Sequence, residues 1–145
     1  MFADSGTRVV IANGRFGLRL SCVGEETELG YPTLIEVQAG PFTGSVMDET
    51  VWNYAIFLQQ LETLYRTLAG TATLGSYEGF SLSMVGAGGG IDIFAVIIGE
   101  HVPSITLTFE FSFDQTYLPP IIRAIRREFP LSTRARESGD GEQLT

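Results

Sequence analysis

Lysine is missing from this 145-residue chain, and cysteine and histidine occur once each. A single cysteine leaves no internal disulfide to form. One Cys and one His are too few for a zinc site built from those ligands, which leaves only carboxylates as metal ligands. Without lysine there is no P-loop, whose Lys must reach the β- and γ-phosphates. No apolar run approaches the roughly 20 residues needed to cross a bilayer, so membrane insertion is not expected. The opening MFADSGTRVV lacks the basic and long apolar segments of a secretory signal, and a cytoplasmic location follows as the expectation. Positive charge is scarce as well: nine basic residues, all arginine, stand against 17 acidic ones for a net charge of -8. That balance disfavours nucleic-acid binding, which depends on neutralising phosphates, and favours attraction to a basic protein partner.

What is present is repeated alternation of apolar and polar residues, the mark of strands packed on one face. RFGLRLSC (15–22) places Phe16, Leu18, Leu20 and Cys22 on one side and Arg15, Gly17, Arg19 and Ser21 on the other. Residues 7–12 form its expected hairpin partner, with Asn13-Gly14 suited to a two-residue type I′ turn. After the acidic loop GEETELGYP, residues 33–39 and 42–46 read as a second pair around Gly40-Pro41. From Asp48 to Leu68 the period changes: Val51, Tyr54, Ala55, Leu58, Leu61, Tyr65 and Leu68 predict an amphipathic helix. Asp48 is its expected N-cap and Gly70 its stop, which gives about 30 Å of helix. Strands return at 79–85, 90–98 and 104–113, the last with Ile105, Leu107, Phe109, Phe111 and Phe113 inward. A closing helix is expected over about 116–129, capped by Thr116, with Pro119 and Pro120 in its first turn. The sum is an α+β fold: a mainly antiparallel, meander-like sheet packed against one long amphipathic helix, with a short C-terminal helix. Residues 1–130 read as one domain and 131–145 as a flexible polar tail.

The richest candidate for chemistry is VGAGGGIDIFAVII, four glycines among five residues ahead of an apolar run. It matches neither G-x-G-x-x-G nor the P-loop spacing, and the alternation of Ile91, Ile93, Ala95 and Ile97 places a strand, not a helix N-terminus, after it. A hairpin bend pairing 79–85 with 90–98 is therefore expected, with no nucleotide bound. Cys22 and His101 are the only nucleophile and base of their kinds, but Cys22 continues an inward apolar face and reads as a small buried hydrophobe. Glu25, Glu26 and Glu28 make the densest acidic group, without the spacing of a calcium loop. Glu36, Asp92 and Glu110 fall on strands and would act as acid and base only if two of them met. Arg123, Arg126 and Arg127 complement the dipole at the end of the last helix. No cofactor and no catalytic or metal-binding residue is expected.

With the elements in this order, the chain resembles bacterial immunity proteins of the WapI-associated type. The residues that carry the resemblance are the helix pattern FLQQLETLYRTL (Phe57, Leu61, Leu64, Tyr65, Leu68), GFSLSM, the glycine turn with GIDIFAVII, and LTFEFSFDQTYLPPIIRAI with Phe113, Asp114 and Leu118, over roughly 15–129. The resemblance implies a cytoplasmic protein that binds and neutralises a toxin domain and performs no chemistry itself. On that reading the partner surface is either the polar sheet face with Arg19, Glu36, Asp92 and Glu110, or the acidic loop with Glu25, Glu26 and Glu28. Two other classes stay open: a small-ligand binder, and an oligomeric module using Trp52 and Ile56 as a homodimer seam.

Overall fold

The computed structural model describes residues 8–101 and 103–130, with the backbone alone at His101. Its elements are strands β1 (Val9–Asn13), β2 (Phe16–Cys22), β3 (Tyr31–Ala39) and β4 (Phe42–Val51), helix α1 (Tyr54–Thr67), strands β5 (Thr71–Gly75), β6 (Ser81–Ala87), β7 (Gly90–His101) and β8 (Ser104–Asp114), and helix α2 (Leu118–Glu128). The strands form two four-stranded antiparallel sheets, β1-β2-β3-β4 and β5-β6-β7-β8. Each is a meander, as the alternation requires, but the expected single sheet is two and the expected long helix is 14 residues. At 1.5 Å per residue α1 spans about 21 Å.

The two sheets are joined at both borders. Val51 pairs with Ser76 as an isolated bridge between the end of β4 and the turn after β5. At the opposite border the Asn13 Nδ2 donates to the Ser112 carbonyl at 2.7 Å, linking β1 to β8. Between them lies one continuous apolar cluster, fed by Ile11, Leu18, Leu20 and Ile35 from the first sheet and by Leu74, Leu82, Met84, Ile91 and Ile93 from the second. Phe57, Leu61 and Leu64 of α1 and Leu118, Ile121 and Ile125 of α2 complete it. The inward phase expected for β8 holds at Phe113, which is buried, and fades toward Ile105, which is exposed because β7 and β8 run on past the end of β6.

Turn chemistry explains the hairpins. Ala87 pairs with Gly90, and the two residues between them, Gly88 and Gly89, both have positive φ (60° and 89°), which is what a type I′ turn demands. β6 and β7 pair antiparallel across this bend, from Ser81↔Val96 to Ala87↔Gly90, and Ile91 opens no helix. In the first hairpin the turn sits one residue later than expected: Asn13 pairs with Phe16, and only Gly14 has positive φ, the sign pattern of a type II′ turn.

The helix boundaries differ from those that the apolar period predicts. Asp48 is not an N-cap, because Met47, Asp48 and Val51 pair with β3 across a register shift and the Asp48 carboxylate is spent on Thr50 and Ser76. Thr50 and Val51 are β-branched and suit that strand. α1 instead begins after Asn53, whose side chain caps a strand and not the helix: Nδ2 donates to the Thr73 carbonyl at 2.7 Å and Oδ1 accepts from the Gly75 amide at 2.9 Å. Gln60 Oε1 accepts from the Thr73 amide at 2.9 Å. The backbone edge of β5, a strand the sequence reading did not foresee, is thereby satisfied by α1 side chains. α1 ends on Leu68 in the left-handed conformation (φ 59°), two residues ahead of Gly70.

Before α2, the turn Gln115–Tyr117 is 3-10, and Asp114, not Thr116, is the cap. The Asp114 carboxylate accepts from the Thr116 amide at 2.8 Å and from its hydroxyl, bonds that lower the Asp114 pKa. Pro119 and Pro120 fall in the first turn of α2 as expected. Phe129 closes the helix onto the first sheet, stacking on Tyr54 at 3.9 Å between ring centroids and meeting Tyr31 edge-on. Residues 131–145, the expected tail, lie outside the described residues.

Candidate functional site

The four sheet residues expected to form one polar face lie on two different sheets. Arg19 and Glu36 are register partners on β2 and β3, and the guanidinium grips the carboxylate with two bonds, Nε to Oε1 at 2.8 Å and Nη2 to Oε2 at 2.7 Å. That hydrogen bond holds the Glu36 carboxyl below the usual carboxylate range, with burial opposing it, and raises the Arg19 pKa. A bidentate pair of this kind is self-satisfied and offers little net charge to a partner. Asp92 and Glu110, on β7 and β8, line a shallow recess of about 300 Å³ with Phe94, Phe111 and Ser112. The structure thus brings Asp92 and Glu110 together and leaves Arg19 and Glu36 apart from them.

Glu25, Glu26 and Glu28 occupy the loop between β2 and β3, which is folded back on itself by a Thr27↔Gly30 bridge. Glu25 and Glu28 are exposed, and none of the three enters an ion pair among the described residues. Glu28 shares a depression of about 410 Å³ with Thr27, Leu29, Pro32 and Glu49. Gly30, at φ 129°, packs against the next segment so closely that a Cβ would lie 2.6 Å from the Val51 carbonyl oxygen and 2.9 Å from the Trp52 Cα. Only glycine fits there, and it is what brings the acidic loop up to Trp52.

Trp52 is the feature that the sequence reading placed inside a helix. It stands at the β4–α1 junction, 47% exposed, and stacks on Tyr77 with ring centroids 5.9 Å apart and planes 15° from parallel. Tyr77 is 69% exposed and sits in the turn between β5 and β6. That turn is anchored from below by Asp48, which is 2% exposed. Its Oδ1 accepts from the Thr50 amide and hydroxyl, both at 2.8 Å, and its Oδ2 accepts from the Ser76 hydroxyl at 2.6 Å. The Thr50 hydroxyl in turn accepts from the amides of Tyr77 (3.1 Å) and Glu78 (3.2 Å), and the Ser76 hydroxyl from the amide of Phe80 at 3.0 Å. A buried carboxylate therefore fixes the backbone that carries an exposed aromatic pair, a costly arrangement that is tolerable because both of its oxygens accept hydrogen bonds. A D-x-T-x-W stretch followed by a distant S-Y is too generic a pattern for sequence alone to reveal this network.

The remaining candidates resolve plainly. Cys22 is half-buried and its thiol donates to the Gly24 carbonyl at 3.2 Å. The side chain of His101 lies outside the described residues. Arg126 pairs with Glu62 of α1 beside a groove shared by Arg66 and Arg123. Among the described residues no three of His, Cys, Asp and Glu gather as metal ligands, and no helix is long and apolar enough to cross a membrane.

The chain is matched over residues 18–130 by the family model of the WapI-like immunity proteins. It belongs to that family. No curated protein and no solved structure matches it.

Proposed function

We propose that this protein is the immunity partner of a toxin: it binds the toxin domain and blocks it by occupation, without chemistry of its own. The observation that carries the reading is the family match across most of the chain. The physical features agree with it. A net charge of -8 speeds capture of a basic toxin. Of the two contact surfaces, the acidic loop with Glu25, Glu26 and Glu28 is the one proposed here, because Arg19 and Glu36 neutralise each other and sit apart from Asp92 and Glu110. A cytoplasmic site of action goes with this role.

Co-expression tests it. Cells producing the cognate toxin domain should grow when the chain is supplied and arrest when it is not. Arrest in both cases would remove the reading.

A further inference from the structure

The geometry points to the stacked Trp52–Tyr77 pair, bordered by Leu29, Glu28 and Glu49, as the docking centre for a basic protein surface that presents arginine or lysine side chains. The inference rests on the immunity reading and names the surface and the partner chemistry. Three observations converge on it. First, two large exposed aromatic side chains, Trp52 and Tyr77, come from separate segments of the chain and stack on one surface, and Gly30 brings the loop that carries Leu29 (57% exposed) against the Trp52 backbone. Exposed Trp and Tyr of this kind are the side chains that dominate binding energy in protein interfaces. Second, the pair is held in place before any partner arrives. Asp48, Thr50 and Ser76 fix the Tyr77 turn from beneath, and the Trp52 amide donates to the Gly75 carbonyl at 3.4 Å. Rigid anchors lose little entropy on binding. Third, the border is acidic: Glu28 and Glu49 line the adjoining depression, and neither forms an ion pair among the described residues. An aromatic surface beside free carboxylates favours a cation, which gains from the ring faces and from the carboxylates together.

Trp52 is the only tryptophan of the chain, so it reports on its own surface. The probe is the cognate toxin domain, purified in an inactivated form, and the protein is labelled with fluorotryptophan so that a single fluorine resonance is observed. Binding is measured in parallel by calorimetry. The expected result is a shift of that resonance on saturation and at least about a 30-fold loss of affinity in Trp52→Ala and in Tyr77→Ala. Glu28→Arg with Glu49→Arg should cost about tenfold and flatten the salt dependence. Trp52→Phe, which keeps an aromatic ring, should lose less than Trp52→Ala, and urea midpoints within the wild-type range show that the variants are folded. If the toxin domain binds but the resonance is unmoved and Trp52→Ala binds as well as wild type, the surface assignment is overturned while the immunity reading stands. A loss of affinity in Glu110→Arg, with the Trp52 variants unaffected, moves the interface to the outer face of the second sheet and overturns the assignment as well. If the silenced toxin domain does not bind the wild-type chain, the immunity reading itself fails and takes the inference with it.

Discussion

Asp48→Ala is the perturbation that probes most deeply how the exposed aromatic pair is supported. In the native chain the buried carboxylate accepts three hydrogen bonds, two of 2.8 Å from Thr50 and one of 2.6 Å from Ser76. Hydrogen bonds to a charged group contribute about 1.5–3 kcal/mol each. Removal strands the Thr50 amide, costing about 1–3 kcal/mol, while the hydroxyls of Thr50 and Ser76 keep the amide bonds they accept. Relief from burying a charge returns part of the loss. The net expectation is about 2–4 kcal/mol, which at a urea slope of about 2 kcal/mol per M lowers the midpoint by about 1–2 M. Asp48→Asn keeps an acceptor for Thr50 and turns its amide toward the Ser76 hydroxyl, so about 1 kcal/mol is expected. Because the network anchors Tyr77 against Trp52, the near-ultraviolet circular dichroism of the lone tryptophan should weaken in Asp48→Ala and persist in Asp48→Asn. A midpoint within 0.2 M of wild type, equivalent to less than about 0.5 kcal/mol, together with an unchanged tryptophan band, would refute the account of how this surface is held.

Other expectations follow from the same structure. Gly86→Ala places a Cβ 2.6 Å from the Leu68 carbonyl oxygen and should cost about 2 kcal/mol or more in denaturant unfolding. Gly88→Asn, at φ 60° with open space around it, should stay within about 0.5 kcal/mol of wild type; equal losses at the two sites would contradict the assigned turn. The Glu36 carboxyl is depressed by its bond to Arg19, so its contribution is present above the ordinary carboxylate pKa and is lost as pH falls through the lowered one. Glu36→Gln should therefore be less stable than wild type by about 1 kcal/mol at neutral pH, and the gap should close on acidification below about pH 4. Burial pushes the Tyr31 hydroxyl up to about 12 and raises Tyr54 further in the same direction, so both favour the native state below pH 10 and oppose it as pH rises beyond. Tyr54→Phe, which removes the 3.0 Å bond to the Thr33 hydroxyl, should lower stability by about 1 kcal/mol at neutral pH and soften the alkaline limb of the unfolding profile.

Period-two alternation made most of the strands legible in the sequence, because one face of each is buried and a one-residue slip would expose the whole set. The glycine bend was legible for a related reason: strands on both sides leave no helix for an anion to meet. β5 was not, since Thr71–Gly75 buries only Ala72 and Leu74 and draws its edge hydrogen bonds from Asn53 and Gln60, side chains remote in sequence. The start of α1 was misplaced because Val51 and Trp52 continue the helical stripe by chance, while pairing with β3 claims Asp48 and Val51. The acidic half of the candidate surface could be read from Glu25, Glu26 and Glu28. Its aromatic half could not, because Trp52 and Tyr77 are brought together by contacts between distant segments, among them the Val51–Ser76 bridge and the bonds of Thr50 and Asp48 to the Tyr77 turn.

The central claim is that this chain neutralises a toxin by occupying it. The most direct measurement titrates the purified toxin domain with the purified chain and follows residual toxin activity. The account predicts a linear fall to zero that is complete at one equivalent of chain, with activity restored when the complex is dissociated. Full toxin activity in the presence of excess chain would contradict it, and so would loss of activity at far less than one equivalent, since that is turnover and not occupation.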